Sequence, residues 1–290
     1  MKKMANVIIL LFIGLYHVNG SANEIITWPE IDFPPFDIQS GPYKDKGLLD
    51  EAGKIIQQNL PDYQHERGEL INFKRMWEQL RKGKNICYAG VIRSGMTESV
   101  GHLSVPIAAT PSFVIIIKKN KSHLFENQSI LSLKDVLEKS SLQLGMTSRG
   151  YGDKIRTILD KHKGESHIEV RSGFGNFPAL MKMLFADRLD YVLAYPSEGV
   201  YQAKLMNKEN EIDIINIKET YGDVIVGRII CPKTDWGNKI IKKCNAILKQ
   251  KQLIQKMRYV SESWVSQNIS RQFRKQFDDL ITTDKWTSVD

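Results

Sequence analysis

The segment LQLGMTSRGYG, residues 142–152, is the most informative stretch of this chain. Its first part, 142–146, is a short apolar run with the composition of a buried strand, and apolar positions at helical spacing begin shortly after residue 152. The loop 147–152 therefore lies at the carboxyl end of a predicted strand and leads into a helix. In open α/β sheets ligands bind at such places, so the segment predicts an α/β unit with a binding loop.

The side chains of this loop are those of an anion site. Thr147 and Ser148 offer hydroxyl groups, Arg149 adds a fixed positive charge, and Gly150 and Gly152 let backbone N–H groups approach a ligand at a helix N-terminus. An ordinary glycine-containing turn with a Ser/Thr helix cap would use the same residues. Because neither GxGxxG nor a P-loop lysine is present, the loop is not a nucleotide-binding fingerprint.

Working outward, strand and helix patterns alternate along most of the chain and restart at Lys118. This alternation predicts the α/β class with mostly parallel sheets, arranged as two units. Strand-end loops of the same kind occur at four places, and these are the candidate binding loops: Trp28–Phe36, Gly90–Ser94, Thr147–Gly152 and Tyr195–Glu198.

The first 22 residues have the composition of a secretory signal peptide. Lys2 and Lys3 precede an apolar run from Val7 to Leu15, and small and polar residues follow up to Ala22. The run is far shorter than the roughly 20 apolar residues that span a bilayer. We therefore expect residues 1–22 to be removed and the remaining chain to be a soluble protein of the periplasm.

Composition excludes several classes of function. The formal net charge of +8 is spread over the whole chain rather than concentrated in a basic stripe, so nucleic acid is not an expected partner. The histidines lack metal-ligand spacing, and no GxSxG, HExxH or CxxC sequence occurs. We therefore expect no metal, no cofactor and no catalytic residue.

The chain has three cysteines, Cys87, Cys231 and Cys244, so at least one has no partner within the chain. Cys231 and Cys244 could form a disulfide. Alternatively, both are small buried apolar residues, because one lies in a predicted strand and the other in a predicted helix.

An ordered set of short motifs resembles the extracellular solute-binding proteins of family 3. The motifs are Trp28 with Phe33-Pro-Pro-Phe36, Gly47-Leu-Leu-Asp50, Arg75-Met-Trp77, Cys87-Tyr-Ala-Gly90, Ser104-Val-Pro106, Leu144-Gly-Met-Thr-Ser148 with Gly150-Tyr-Gly152, and Leu184 to Val192. The resemblance implies a two-lobed type II periplasmic-binding-protein fold. Lobe one would contain residues 23–117 and 218–290, lobe two residues 118–217, and a two-strand hinge would join sheets flanked by helices.

The resemblance also shows where this chain departs from the amino-acid-binding pattern. The arginine that usually binds the ligand α-carboxylate is replaced by Thr97, and the aspartate that usually receives the α-ammonium is replaced by Tyr195. A standard α-amino acid is therefore not the expected ligand. Arg93 would take over a carboxylate and Glu198 a cation.

Aromatic residues would complete the binding site. The resemblance implies that Phe33 stacks on the ligand, with Trp28, Phe36 and Tyr151 enlarging an aromatic box. Trp28 and Phe36 could instead simply pack between the first strand and its neighbours.

These observations favour a monomeric solute-binding protein that closes on a small polar or aromatic solute. It would deliver the solute to an inner-membrane transporter of the ABC type or present it to a membrane sensor. A degenerate fold that serves only as a protein-contact domain is the alternative. A dehydratase-like enzyme is less favoured, because only Glu30, Glu198 and distant histidines could supply acid and base.

Overall fold

The computed structural model describes residues 24–172, 174–262, 264–265 and 273–279. The predicted signal peptide, 1–22, lies outside the described residues. Within the described ranges, no helix combines the length and the apolar composition that a membrane crossing requires.

The strands are β1 (Ile25–Glu30), β2 (Gln64–Leu70), β3 (Tyr88–Val91), β4 (Gly101–Pro111), β5 (Val114–Lys118), β6 (Ile130–Leu131), β7 (Leu144–Ser148), β8 (Ile168–Ser172), β9 (Tyr191–Ala194), β10 (Ile212–Ile217) and β11 (Val224–Pro232). The helices are α1 (Leu48–Gln58), α2 (Phe73–Arg81), α3 (Gly95–Val100), α4 (Leu133–Leu137), α5 (Gly152–Leu159), α6 (Phe177–Phe185), α7 (Pro196–Leu205), α8 (Asp235–Leu248) and α9 (Lys251–Glu262). A further helical turn covers 273–279.

The strands of lobe two form one six-stranded sheet, and those of lobe one form a three-stranded and a two-stranded sheet joined by a single bridge, together called the first sheet. In lobe one, β1 pairs with β2 in parallel, a bridge from Thr27 to Ile86 connects β1 to the start of β3, and β11 lies between β3 and β4. In lobe two the strand order is β6-β10-β5-β9-β7-β8. The structure thus confirms the α/β class.

Each sheet has one strand that is antiparallel to both of its neighbours. In lobe one this strand is β11, which is antiparallel to β3 and β4, and in lobe two it is β5, which is antiparallel to β9 and β10. Both follow directly after the chain has crossed from the other lobe. They start where the other strands of their sheet end, and they must therefore run in the opposite direction.

The two crossings lie side by side. The chain passes from β4 to β5 through Ser112 and Phe113, and from β10 to β11 through residues 218–223. The amide of Ser112 donates a hydrogen bond to the carbonyl oxygen of Asp223, with N···O 3.2 Å. Because β5 pairs within the second sheet, a division by sheet membership falls at 112–113, a few residues before the boundary at 117 that the sequence suggested.

Helix α1 covers the first sheet and is anchored at its N-terminus. Its apolar face, predicted from spacing, buries Leu49, Ala52 and Ile56. The carboxylate of Asp50 accepts hydrogen bonds from the amides of Gly47 (2.8 Å) and Ile38 (2.9 Å). This carboxylate therefore holds the start of the helix against the loop that follows β1.

A disulfide joins Cys87 to Cys231. It links the residue before β3 to the neighbouring strand β11, where the two Cα atoms are 4.4 Å apart. The possible pairing of Cys231 with Cys244 is therefore wrong. Cys244 is a buried free thiol on α8, and burial raises its pKa to about 12, so it remains protonated.

Candidate binding cleft between the lobes

A cleft of about 370 Å³ lies between the two lobes, close to the strand crossings. Its lining residues come mainly from lobe one, with one aromatic ring from lobe two. They are Phe33, Phe36, Leu48, Leu49, Gly90, Ile92, Ala108, Ala109, Thr110, Tyr195, Ile225 and Gly227.

The turn after β1 places two aromatic rings at the cleft. The carbonyl oxygen of Phe33 accepts hydrogen bonds from the amides of Phe36 (2.9 Å) and Asp37 (3.0 Å), which closes the turn. The rings of Phe33 and Phe36 stack with centroids 4.9 Å apart. Phe36 also meets Tyr195 of lobe two edge to face at 5.3 Å, so the two lobes are already in contact here.

Small residues make room on the lobe-one side. Gly90 has φ +126°, and a Cβ at this position would lie 2.2 Å from a methyl carbon of Leu49. Gly227 of β11 packs beside Gly90 and Ala108. Because larger side chains are absent at these positions, the sheet surface itself forms the floor of the cleft.

Thr110 contributes a polar group to this apolar surface. The residue is only 7% exposed, and its Oγ1 has no hydrogen-bond partner among the described residues. A buried hydroxyl without a partner costs free energy, so this atom favours a ligand with a hydrogen-bonding group opposite it.

Beneath Tyr195, Arg149 and Glu198 form a buried ion pair. Two guanidinium nitrogens lie 2.9 Å from the two carboxylate oxygens, and both side chains are 2% exposed. Arg149 Nε also donates to Thr147 Oγ1 (2.6 Å), and Glu198 accepts from the amide of Tyr195 (2.9 Å). The groups predicted to bind a charged ligand therefore satisfy one another.

Aromatic rings enclose this ion pair. The guanidinium carbon of Arg149 lies 5.7 Å from the ring centroid of Tyr195 and 5.9 Å from those of Phe113 and Tyr151. Burial, the largest influence, lowers the pKa of Arg149, but the charge and hydrogen bond of Glu198 together with Tyr151 and Tyr195 raise it overall. Arg149 therefore keeps its charge, and the predicted anion site is occupied by the side chain of Glu198.

Three predicted site residues lie elsewhere. Trp28 is buried and donates its indole N–H to His65 (3.1 Å). This position agrees with the alternative that Trp28 packs between the first strand and its neighbours. Arg93 faces Glu98, with N···O 3.5 Å, rather than the cleft. Ser148 is exposed at the end of β7.

Thr97, at the position of the missing carboxylate-binding arginine, does not replace that arginine. Its hydroxyl donates to the carbonyl oxygen of Ile92 (3.1 Å) and accepts from the amide of Ser94 (2.9 Å). The hydroxyl therefore caps α3 and closes the loop before it.

A second contact between the lobes, which we call the aromatic latch, consists of Tyr43, Trp264, Tyr201 and Lys204. Trp264 lies 5.1 Å from Tyr43 and 5.2 Å from Tyr201 of α7, between ring centroids. The ammonium group of Lys204 lies 5.0 Å from the Tyr43 ring and 5.7 Å from the Trp264 ring. The C-terminal part of the chain thus helps to hold lobe two against lobe one.

A larger groove of about 880 Å³ lies on lobe one, between β1 and α1. Asp37 and Asp50 lie side by side in its wall. Asp37 is 6% exposed and accepts hydrogen bonds from the Tyr88 hydroxyl and the Ile31 amide, both at 3.4 Å. Burial, and then the neighbouring charge of Asp50, raise the pKa of Asp37 to about 8.

No family model matches the sequence, and no curated protein matches it either. Solved structures do match. A substrate-binding protein of an ABC uptake transporter from Streptococcus pneumoniae, with bound histidine, is 14% identical with TM-score 0.58, covering 83% of this chain and 94% of that chain. A histidine kinase sensor domain with similarity to periplasmic binding proteins is 12% identical with TM-score 0.59, covering 84% and 96%.

An ancestral amino-acid-binding protein, a precursor of cyclohexadienyl dehydratase, is 14% identical with TM-score 0.60, covering 84% of this chain and 96% of that chain. These structures have two-lobed binding folds, and the match extends over nearly their whole length. The chain therefore has the periplasmic-binding-protein fold, as the resemblance to family 3 implies. Identities this low establish the fold alone.

Proposed function

We propose that this chain is a solute-binding protein of the periplasm that closes its two lobes around a small molecule. The observation that carries the proposal is the cleft itself. Phe33, Phe36 and Thr110 of lobe one face Tyr195 of lobe two across it. A ligand that touches both walls makes its full set of contacts only in the closed form, so its binding favours closure.

The fold and the disulfide support export and a membrane partner. Similar structures include the binding protein of an uptake transporter and a kinase sensor domain, and this chain would deliver or present its solute in one of these ways, as a monomer. The disulfide between Cys87 and Cys231 suits the oxidising periplasm. Removal of a signal peptide at residues 1–22 belongs to the same proposal.

The proposal is for binding without catalysis. A dehydratase would need a general acid and a general base within reach of its substrate. Of the two carboxylates considered for these roles, Glu198 is held by Arg149 and Glu30 is paired with Arg67. Neither lines the cleft.

Thermal-shift screening tests the proposal. A panel of amino acids, organic acids, amines and neutral aromatic compounds should contain ligands that raise the melting temperature in proportion to their concentration. Tyr195→Ala removes the lobe-two wall and should abolish the shift. Tyr259→Ala, at a ring that is 77% exposed on α9, is the matched control and should leave it unchanged.

Small-angle scattering of the same samples reports closure. A ligand that raises the melting temperature should also leave the protein at least as compact as the free form. If no compound in the panel produced a shift, the proposed function would be wrong.

A further inference from the structure

We propose that the cleft selects an uncharged, mainly apolar ring compound that carries one hydrogen-bonding group. This inference rests on the proposed function and goes further, because it names the chemical class of the solute. It differs from what the fold neighbours bind, which includes histidine.

The first argument is electrostatic. None of the described residues that line the cleft is charged. Arg149 and Glu198 are bonded to each other behind Tyr195. An amino acid would bring a carboxylate and an ammonium group into this apolar space, and a buried charge without a partner is strongly unfavourable.

The second argument concerns the two residues considered for binding a ligand carboxylate, Thr97 and Arg93. The Thr97 hydroxyl is used within its own loop, and Arg93 faces Glu98. A ligand carboxylate would therefore have to compete with contacts that the chain already makes.

The third argument is the shape and the polar content of the cleft. The space between its walls is about 370 Å³ with open solvent included, of which about 50 Å³ can hold the centre of a water molecule, so a substituted ring would enter as the walls separate. Phe33 and Phe36 offer ring faces and edges for stacking. The Thr110 hydroxyl, which has no hydrogen-bond partner in the described part of the chain, is a polar side-chain group on the lobe-one wall and would bond one ligand group.

The experiment compares ligands that share one ring and differ in charge. Benzyl alcohol, benzoate, benzylamine and phenylalanine are titrated against the full-length mature protein at pH 7. Binding is followed by saturation-transfer NMR and calorimetry. Benzyl alcohol should bind saturably, and each charged analogue should bind at least about tenfold more weakly, because burying its charge is unfavourable.

Thr110→Val keeps the volume of the side chain and removes the hydroxyl. It should weaken benzyl alcohol binding about five- to tenfold, the usual effect of one lost hydrogen bond, and leave toluene binding unchanged. Thr157→Val, on the exposed side of α5, is the matched control. Equal losses for benzyl alcohol and toluene would contradict the role of Thr110.

The outcomes separate the two levels of the proposal. If benzoate, benzylamine or phenylalanine bound as tightly as benzyl alcohol, the ligand class would be wrong while the solute-binding function would stand. If none of these compounds, nor any compound of the wider panel, bound, both would be wrong.

Discussion

Arg149 and Glu198 are predicted as ligand-binding residues, and the structure pairs them with each other. Two charges that are 2% exposed must compensate each other, because each would be strongly unfavourable alone. Their pairing fixes Tyr195 above them, since Glu198 also accepts the Tyr195 amide. At this site, the charged side chains therefore support the wall of the cleft and do not line it.

Glu198→Gln should destabilise the protein by about 3–5 kcal/mol, because it leaves the buried Arg149 charge without its carboxylate counter-ion. Adding Arg149→Met should restore most of the loss, since the double variant buries no charge. Urea unfolding of the wild type, both single variants and the double variant measures this cycle. A double variant less stable than Glu198→Gln alone would show that the pair is not held by mutual compensation.

The carboxyl of Asp37 should make stability depend on pH. In the unfolded chain it loses its proton near its ordinary pKa of about 3.9, whereas in the folded protein its pKa is about 8. Between these two pH values the folded state binds one more proton than the unfolded state does. The contribution of this proton to the free energy of unfolding is therefore fully present below the pKa of Asp37 in the unfolded chain. It falls as the pH rises, by up to about 1.4 kcal/mol per pH unit.

Asp37→Asn removes this titration while keeping the shape of the side chain. The variant should therefore lose less stability than the wild type between pH 5 and pH 8, as measured by urea unfolding at three pH values. Asp160→Asn, at an exposed position, is the control and should follow the wild type. If the free energy of unfolding of Asp37→Asn changed with pH as that of the wild type does, Asp37 would not hold a proton in the folded protein.

Several cleft residues could be predicted from the sequence because they follow strands directly. Phe33, Phe36 and Tyr195 belong to this group. Thr110 and Gly227 could not be predicted, because their place depends on which strands pair with which. The ion pair between Arg149 and Glu198 could not be predicted either, because 49 positions separate the two residues along the chain.

At the scale of elements, the sequence predicted buried helices and strands well and exposed ones poorly. Strand β2 is mostly exposed and its residues, QHERGEL, carry no alternation of apolar side chains. Helix α7 differs for another reason: it is largely buried, but Tyr195–Glu198 are expected to form a strand-end loop, whereas Pro196 already lies in the first turn of the helix, where proline is tolerated. Burial of one face produces the alternation of apolar and polar side chains, so an exposed strand such as β2 lacks this alternation.

Strand β11 connects several parts of lobe one, and the disulfide fixes it to the start of β3. Reduction of this bond should cost about 2–5 kcal/mol, because it releases a loop closed across a separation of 144 residues. Urea unfolding with and without dithiothreitol measures the loss. The effect should persist in Cys244→Ala and disappear in the double variant Cys87→Ala/Cys231→Ala.

At the scale of the whole molecule, the aromatic latch and the contact between Phe36 and Tyr195 hold the lobes together in the absence of ligand. Each aromatic or cation–π contact contributes about 0.5–1.5 kcal/mol. These contacts favour the closed form of the free protein, and closure would strengthen binding of the proposed solute.

Trp264→Ala should change the free-energy difference between the closed and open forms of the free protein by about 1–2 kcal/mol, in favour of the open form. Its radius of gyration in solution should increase, and ligand affinity should fall about tenfold. Tyr259→Ala should change neither quantity. An unchanged radius of gyration for Trp264→Ala would mean that the latch does not hold the lobes.

The position of β11 has a consequence for how the chain acquires its structure. Every strand of the second sheet lies between residues 114 and 217, so this sheet can be completed as soon as that stretch is available. The first sheet has β11 in its interior and must wait, with β3 and β4 unpaired, until residue 232 has emerged. We therefore expect the later-synthesised lobe to fold before the earlier one is finished, the reverse of the usual order along a growing chain.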